Sequence, residues 1–146
     1  MYLPKLKSFI LKSVIGNEFQ LNYLKWIFNN LNHVEKLRIS LQITNVLKND
    51  ATINGFIIDA HFIRQHLLGD TITNLIHFDF DIISKCEAMS NDVERIIHSF
   101  RVHPFFIEHQ WTNVMCVYDS TNSYQHLSSS FSARNTHVLK YLEYFK

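Results

Sequence analysis

The chain has 146 residues, 47% hydrophobic and 18% charged, which is enough apolar material for one folded domain and excludes a disordered chain. Fourteen Lys and Arg against 13 Asp and Glu leave a formal charge of +1, which gives no drive toward nucleic acid or an anionic membrane. Three glycines and two prolines exclude collagen-like and glycine-rich linker proteins.

Residues 6–12 alternate, with Phe9 and Leu11 on one side and Ser8, Ile10 and Lys12 on the other, and this predicts a strand. Gly16 breaks it. Asn17 then stands where a helix cap belongs, ahead of the apolar stripe Phe19, Tyr23, Leu24, Ile27, Phe28 and Leu31, with Trp26 beside the stripe. Residues 36–41 alternate again as a second strand. Residues 45–55 form a looser stretch with turn signals, and a helix follows over 59–68, closed by Gly69. Residues 75–83 are the third strand, where Phe78, Phe80 and Ile82 alternate with His77, Asp79 and Asp81.

Asn91 and Glu94 have capping-box spacing before Val93, Ile96, Ile97 and Phe100, a helix ending before Pro104. Residues 105–107 and 111–118 read as extended, 119–134 as a polar loop. A closing helix over 136–145 would put Val138, Leu139, Leu142 and Phe145 on one face. Strands alternating with helices imply the α/β class with a mostly parallel sheet.

A repeat runs through these elements. Leu3-x-x-Leu6-x-x-Phe9-x-Leu11 recurs as Leu31-x-x-Val34-x-x-Leu37-x-Ile39 and as Ile72-x-x-Leu75-x-x-Phe78-x-Phe80. The offsets are 28 and 41 residues; the first lies in the leucine-rich-repeat range and the second implies an insertion. Every copy falls on an independently read strand, and a helix stripe separates successive copies. The expected architecture is one short, irregular leucine-rich-repeat-like stack of strand–helix units over residues 1–146, a single domain or a fragment.

The segments Leu3-Pro4-Lys5-Leu6-Lys7-Ser8-Phe9, Leu31-Asn32-His33-Val34-Glu35-Lys36-Leu37 and Ile72-Thr73-Asn74-Leu75-Ile76-His77-Phe78 resemble strand starts in divergent F-box proteins with leucine-rich repeats. The stretch from Asn91 to Arg101, followed by Pro104 through Trp111, is similar to a segment of such proteins in which an acidic-capped helix precedes an aromatic-rich extended piece. The chain departs from the repeat pattern at Val14, Gln42 and Ile83, where a regular repeat carries Asn or Cys. No F-box segment is visible, so the resemblance implies a repeat portion or truncated member. It implies a non-enzymatic module that selects a protein substrate for a ubiquitin ligase, reaching the ligase adaptor only if an F-box segment lies upstream.

Chemistry-bearing patterns are sparse. His61 and His66 sit five apart, off one helix face, and Pro104 interrupts the run His98, His103, His109. No spacing among the nine histidines makes a metal site; the polar row His77, Asp79, Asp81 reads as the solvated side of a half-buried sheet. There is no nucleophile elbow and no glycine-rich phosphate loop, so no catalytic residue, metal or cofactor is assigned. Cys86 and Cys116 are too few for a disulfide framework and read as reduced, buried thiols. Residues 1–16 hold no secretory segment and no run approaches the ~20 apolar residues of a membrane span, so the expected setting is intracellular, cytoplasmic or nuclear.

Aligning the three copies superposes Ser8, Lys36 and His77, then Ile10, Arg38 and Asp79, then Lys12, Ser40 and Asp81, as rows across an exposed sheet face. The expected partner-binding surface is therefore Arg38, Ser40, Gln42, His77, Asp79 and Asp81, with a protein as partner. A small hydrolase-like enzyme with a hidden site is the alternative. Strand one is an open edge, which invites pairing with another chain.

Overall fold

The computed structural model describes residues 5–44, 57–70, 72–85 and 90–129, the side chains of Ser90 and Asn91 excepted. Its strands are β1 (Ser8–Ile15), β2 (Lys36–Ile43), β3 (His77–Lys85), β4 (Met115–Asp119) and β5 (Tyr124–Ser128), joined in one mixed sheet of order β1-β2-β3-β5-β4. The sheet is neither closed nor curled, and the fold is α/β. The helices are α1 (Glu18–Asn29), α2 (Ala60–Phe62, widening into a π-helical turn over Ile63–Leu67), α3 (Ser90–Val102) and α4 (Pro104–Glu108).

The register of the parallel strands equals the repeat offsets. Ser8 pairs with Lys36 and Lys36 with His77; Ile10, Arg38 and Asp79 share the next outer row, and Lys12, Ser40 and Asp81 the one after. Alternation explains why. Leu37, Ile39, Leu41 and Ile43 of β2 and Phe78, Phe80 and Ile82 of β3 are buried. They share a core with Leu21, Leu24 and Phe28 of α1, Ile96 and Phe100 of α3 and Phe106 of α4. The second and third repeat copies bury every apolar position, including Leu31, Val34, Ile72 and Leu75. The first copy does not: Leu6 is 40% exposed, and Phe9 and Leu11 are only partly covered, because among the described residues the sheet ends at β1.

Several expectations need correction. The sheet is not mostly parallel, since β3–β5 and β4–β5 are antiparallel against two parallel pairings. β5 falls inside the stretch read as a polar loop. Its sequence Tyr-Gln-His-Leu-Ser has one aliphatic residue, so no hydrophobic alternation marks it, and its burial comes from pairing between β3 and β4.

Second, residues 105–107 are helical. Pro104 suits the first turn of a helix, and His103 Nδ1 accepts the Phe105 N–H at 3.2 Å to cap it. Third, the buried stripe of α1 is Leu21, Leu24 and Phe28, while Phe19 is 87% and Tyr23 61% exposed. The sequence offers two apolar faces on this helix, and the sheet takes the aliphatic one.

The Asn17 cap is as expected: its side chain accepts the Gln20 N–H at 2.9 Å, and Gln20 reaches back to the Gly16 N–H at 2.6 Å. Asn91 is not a cap, because α3 already begins at Ser90. Cys116 is buried on the core side of β4. Cys86, the stretch 45–55 and the closing helix over 136–145 lie outside the described residues.

Two histidines at the helix seams carry a pH dependence. Burial, with Lys25 adding to it and Glu18 opposing, lowers the His66 pKa below 6.5. Burial also lowers that of His103, with His61 and Arg64 adding to it and Asp59 opposing. Protonating His103 Nδ1 would also remove the α4 cap. The unfolded chain therefore binds more protons than the folded one below pH 6.5, so the contribution is complete above that pH and lost as pH falls. Urea midpoints measured from about pH 7 to 5 should fall less steeply for a His66→Gln, His103→Asn double variant than for the parent chain. Parallel curves would contradict this assignment.

Candidate functional site: the outer sheet face

The face turned away from the helical core carries the even-numbered residues of β1 and β2 and the odd-numbered residues of β3. All six residues singled out in the sequence lie on it. Arg38 and Asp79 face each other across β2 and β3, with Arg38 Nη2 donating to Asp79 Oδ2 at 3.4 Å. Their side chains are 57% and 39% exposed, so the ion pair adds only ~0.2–1 kcal/mol. His77 is exposed at the start of β3, while Ser40 and Gln42 are half-buried. Val14, Gln42 and Ile83, the three departures from the repeat pattern, line up in one row.

Burial deepens across this face. Ile10 and Val14 on β1 are 63% and 56% exposed, whereas Ile83 of β3 and His126 and Ser128 of β5 are buried. Asp81 belongs to the buried half. Its carboxylate is hydrogen-bonded to His126 Nε2, and the side chain is only 14% exposed. It is thus less available to a docking partner than the expectation of an exposed row implies. His126 Nδ1 is buried and has no hydrogen-bond partner among the described residues. His126 is not legible in the sequence because β5 is not: with Leu127 its only aliphatic residue, the strand carries no alternating signal.

The exposed half opens into a cleft of about 600 Å³ where the parallel strands begin. Its lining joins Ile10, Lys36, Arg38, His77 and Asp79 of the outer rows to core-side Phe9, Leu37 and Phe78 and to Trp111. Trp111 is held by ring contacts to His109 at 4.5 Å, Phe78 at 5.7 Å and Phe105 at 5.9 Å. The segment before it turns through Gln110, whose φ is 60°. The sequence places Trp111 at the start of an extended segment; its place at the cleft depends on the α4 turn.

A second cleft, of about 470 Å³, lies on the helical side between α1 and α2 and is lined by Lys25, His61, Arg64 and His103. Arg64 stacks over Phe105 at 4.4 Å and donates to the Leu68 carbonyl at 2.6 Å, so its guanidinium serves the local fold. On the outer surface of α1, Tyr23 and Trp26 stack at 5.8 Å beside exposed Phe19. Among the described residues, no group of three His, Cys, Asp or Glu side chains could hold a metal ion, and no helix is long and apolar enough to cross a membrane.

Removing Asp81 leaves His126, 7% exposed, with neither ring nitrogen bonded among the described residues. Asp81→Ala should therefore cost about 1–3 kcal/mol in urea denaturation, the penalty for a buried unsatisfied polar group. Arg38→Ala should cost no more than about 1 kcal/mol. Equal losses would contradict the gradient of burial across the face.

Compared with protein-family models, curated proteins and solved structures, the chain matches none.

Proposed function

We propose that this chain is a non-enzymatic protein-recognition module whose contact surface is the exposed half of the outer sheet face. The cleft carries this reading. It joins two cations, Lys36 and Arg38, to a carboxylate and an anchored indole, in a shape open enough for a polypeptide side chain. Aromatic and arginine side chains in a partly desolvated pocket are the usual anchors of protein interfaces.

Equal register and repeat offset also support a leucine-rich-repeat-like unit of stacked strands, with β5 and β4 ending the parallel run. On this reading the resemblance to divergent F-box proteins extends to role. The module would choose a substrate, inside the cell, for a ubiquitin ligase whose adaptor is engaged by an F-box segment elsewhere. The Asp81–His126 pair favours a second reading, a hydrolase-like enzyme, because a buried carboxylate orients an imidazole as in general-base sites. No nucleophile among the described residues meets His126 Nδ1, and neither member lines the cleft.

Site-specific photocrosslinking separates the readings. A photoreactive residue at His77 should give a discrete protein adduct in cell extract, and one at Arg101 on α3 should not. Arg38→Glu should abolish the His77 adduct with the melting temperature nearly unchanged, since the ion pair it breaks is exposed. Adducts insensitive to Arg38→Glu, or metabolite turnover by the purified protein alone, would overturn the proposal.

A further inference from the structure

The hydrogen bonds of β1 fix which of its backbone groups face outward from the sheet. Lys36 N–H donates to the Lys7 carbonyl at 3.0 Å, and Thr44 N–H to the Ile15 carbonyl at 2.9 Å. Odd-numbered residues of β1 therefore turn their peptide groups toward β2. The N–H and C=O of Ser8, Ile10, Lys12 and Val14 point away from β2, where no further strand lies among the described residues. These four are the exposed residues of β1. A row of unsatisfied peptide groups of this kind is a template for one more strand.

The side chains specify which strand fits. Lys12 stands on this edge, Lys5 and Lys7 lie just before the strand, Lys36 and Arg38 lie one strand in, and no acidic residue occurs on β1. Lys7 is paired with Glu35 at 3.2 Å and Arg38 with Asp79; Lys5, Lys12 and Lys36 have no acidic partner among the described residues. Pairing β1 with a second copy would join two strands that carry a cation and no carboxylate, which opposes self-association at this edge. An acidic strand meets no such repulsion. On the core side, Phe9 and Leu11 are only partly covered and would accept apolar side chains from an added strand.

We propose that the β1 edge binds an extended acidic segment of a partner protein by strand addition. Its carboxylates would lie on the outer face beside Lys12 and Lys36, and its alternate apolar residues would cover Phe9 and Leu11. The proposal rests on the reading of the chain as a recognition module and adds the edge to the face as the place of contact.

The probe is an end-blocked peptide alternating Glu and Val, titrated into the full-length ¹⁵N-labelled protein. Binding should slow hydrogen exchange at the amides of Ile10, Lys12 and Val14. The amides of Leu11 and Ser13, already bonded to β2, should change little. Ile10→Pro, which deletes one edge donor, should abolish binding, and Lys12→Glu should weaken it by up to about tenfold. A Lys–Val peptide of the same length should not bind. Shifts confined to Arg38, His77 and Trp111, or a tighter complex with the Lys–Val peptide, would overturn the edge proposal. So would a concentration-dependent dimer that protects the same β1 amides without peptide. If the His77 adduct persists while the peptide gives no edge protection, strand addition fails and the recognition reading stands.

Discussion

How β2 sits between β1 and β3 decides what every other surface of the molecule presents. Its side chains alternate strictly, with Leu37, Ile39, Leu41 and Ile43 in the core and Lys36, Arg38, Ser40 and Gln42 on the outer face. A one-residue slip would exchange the two sets. Exposing four buried aliphatic side chains costs roughly 6–12 kcal/mol at about 1.5–3 kcal/mol each, comparable with the whole stability of a small domain. The Arg38–Asp79 ion pair, worth at most about 1 kcal/mol, cannot set that register and follows from it. The juxtaposition of cation and carboxylate at the cleft is thus a consequence of core packing.

The same packing divides the outer face. Toward β1 it is open: apolar Ile10 and Val14 reach solvent and the last strand has no outer neighbour among the described residues. Toward β5 it closes, and a carboxylate–imidazole pair is buried where the repeat pattern alone would place a solvated row. The recognition chemistry proposed above therefore falls to the β1–β2 side, where cations are accessible. The β3–β5 side contributes rigidity through the hydrogen-bonded Asp81–His126 pair and the antiparallel hairpin.

Much of this arrangement is legible in the amino-acid sequence, and the exceptions have physical causes. Wherever hydrophobic alternation coincides with a repeat copy, strand, face and register all follow, down to the pairing of Arg38 with Asp79 across 41 residues. β5 escapes because its burial derives from strand neighbours instead of its own apolar content. Phe19 and Tyr23 mislead because helical spacing identifies an apolar face without saying which of two faces meets the sheet. α4 is hidden because proline, which ends one helix, also suits the start of the next. The cleft could not be read at all, since Trp111 reaches it through that unanticipated turn. Of the six residues expected on the recognition surface, the sequence places all on the correct face. It does not foresee that Asp81 is half-buried against His126.

The account stands or falls on the register of the parallel strands, and backbone nuclear Overhauser effects measure it directly. In the labelled protein, Arg38 should show cross-strand contacts toward Ile10 on one side and Asp79 on the other, with Ser40 toward Lys12 and Asp81. That pattern places the cations, the carboxylate and the open edge on the surface described. Contacts displaced by one residue, pairing Arg38 with Leu11 or Phe80, would turn these side chains toward the core and contradict the account.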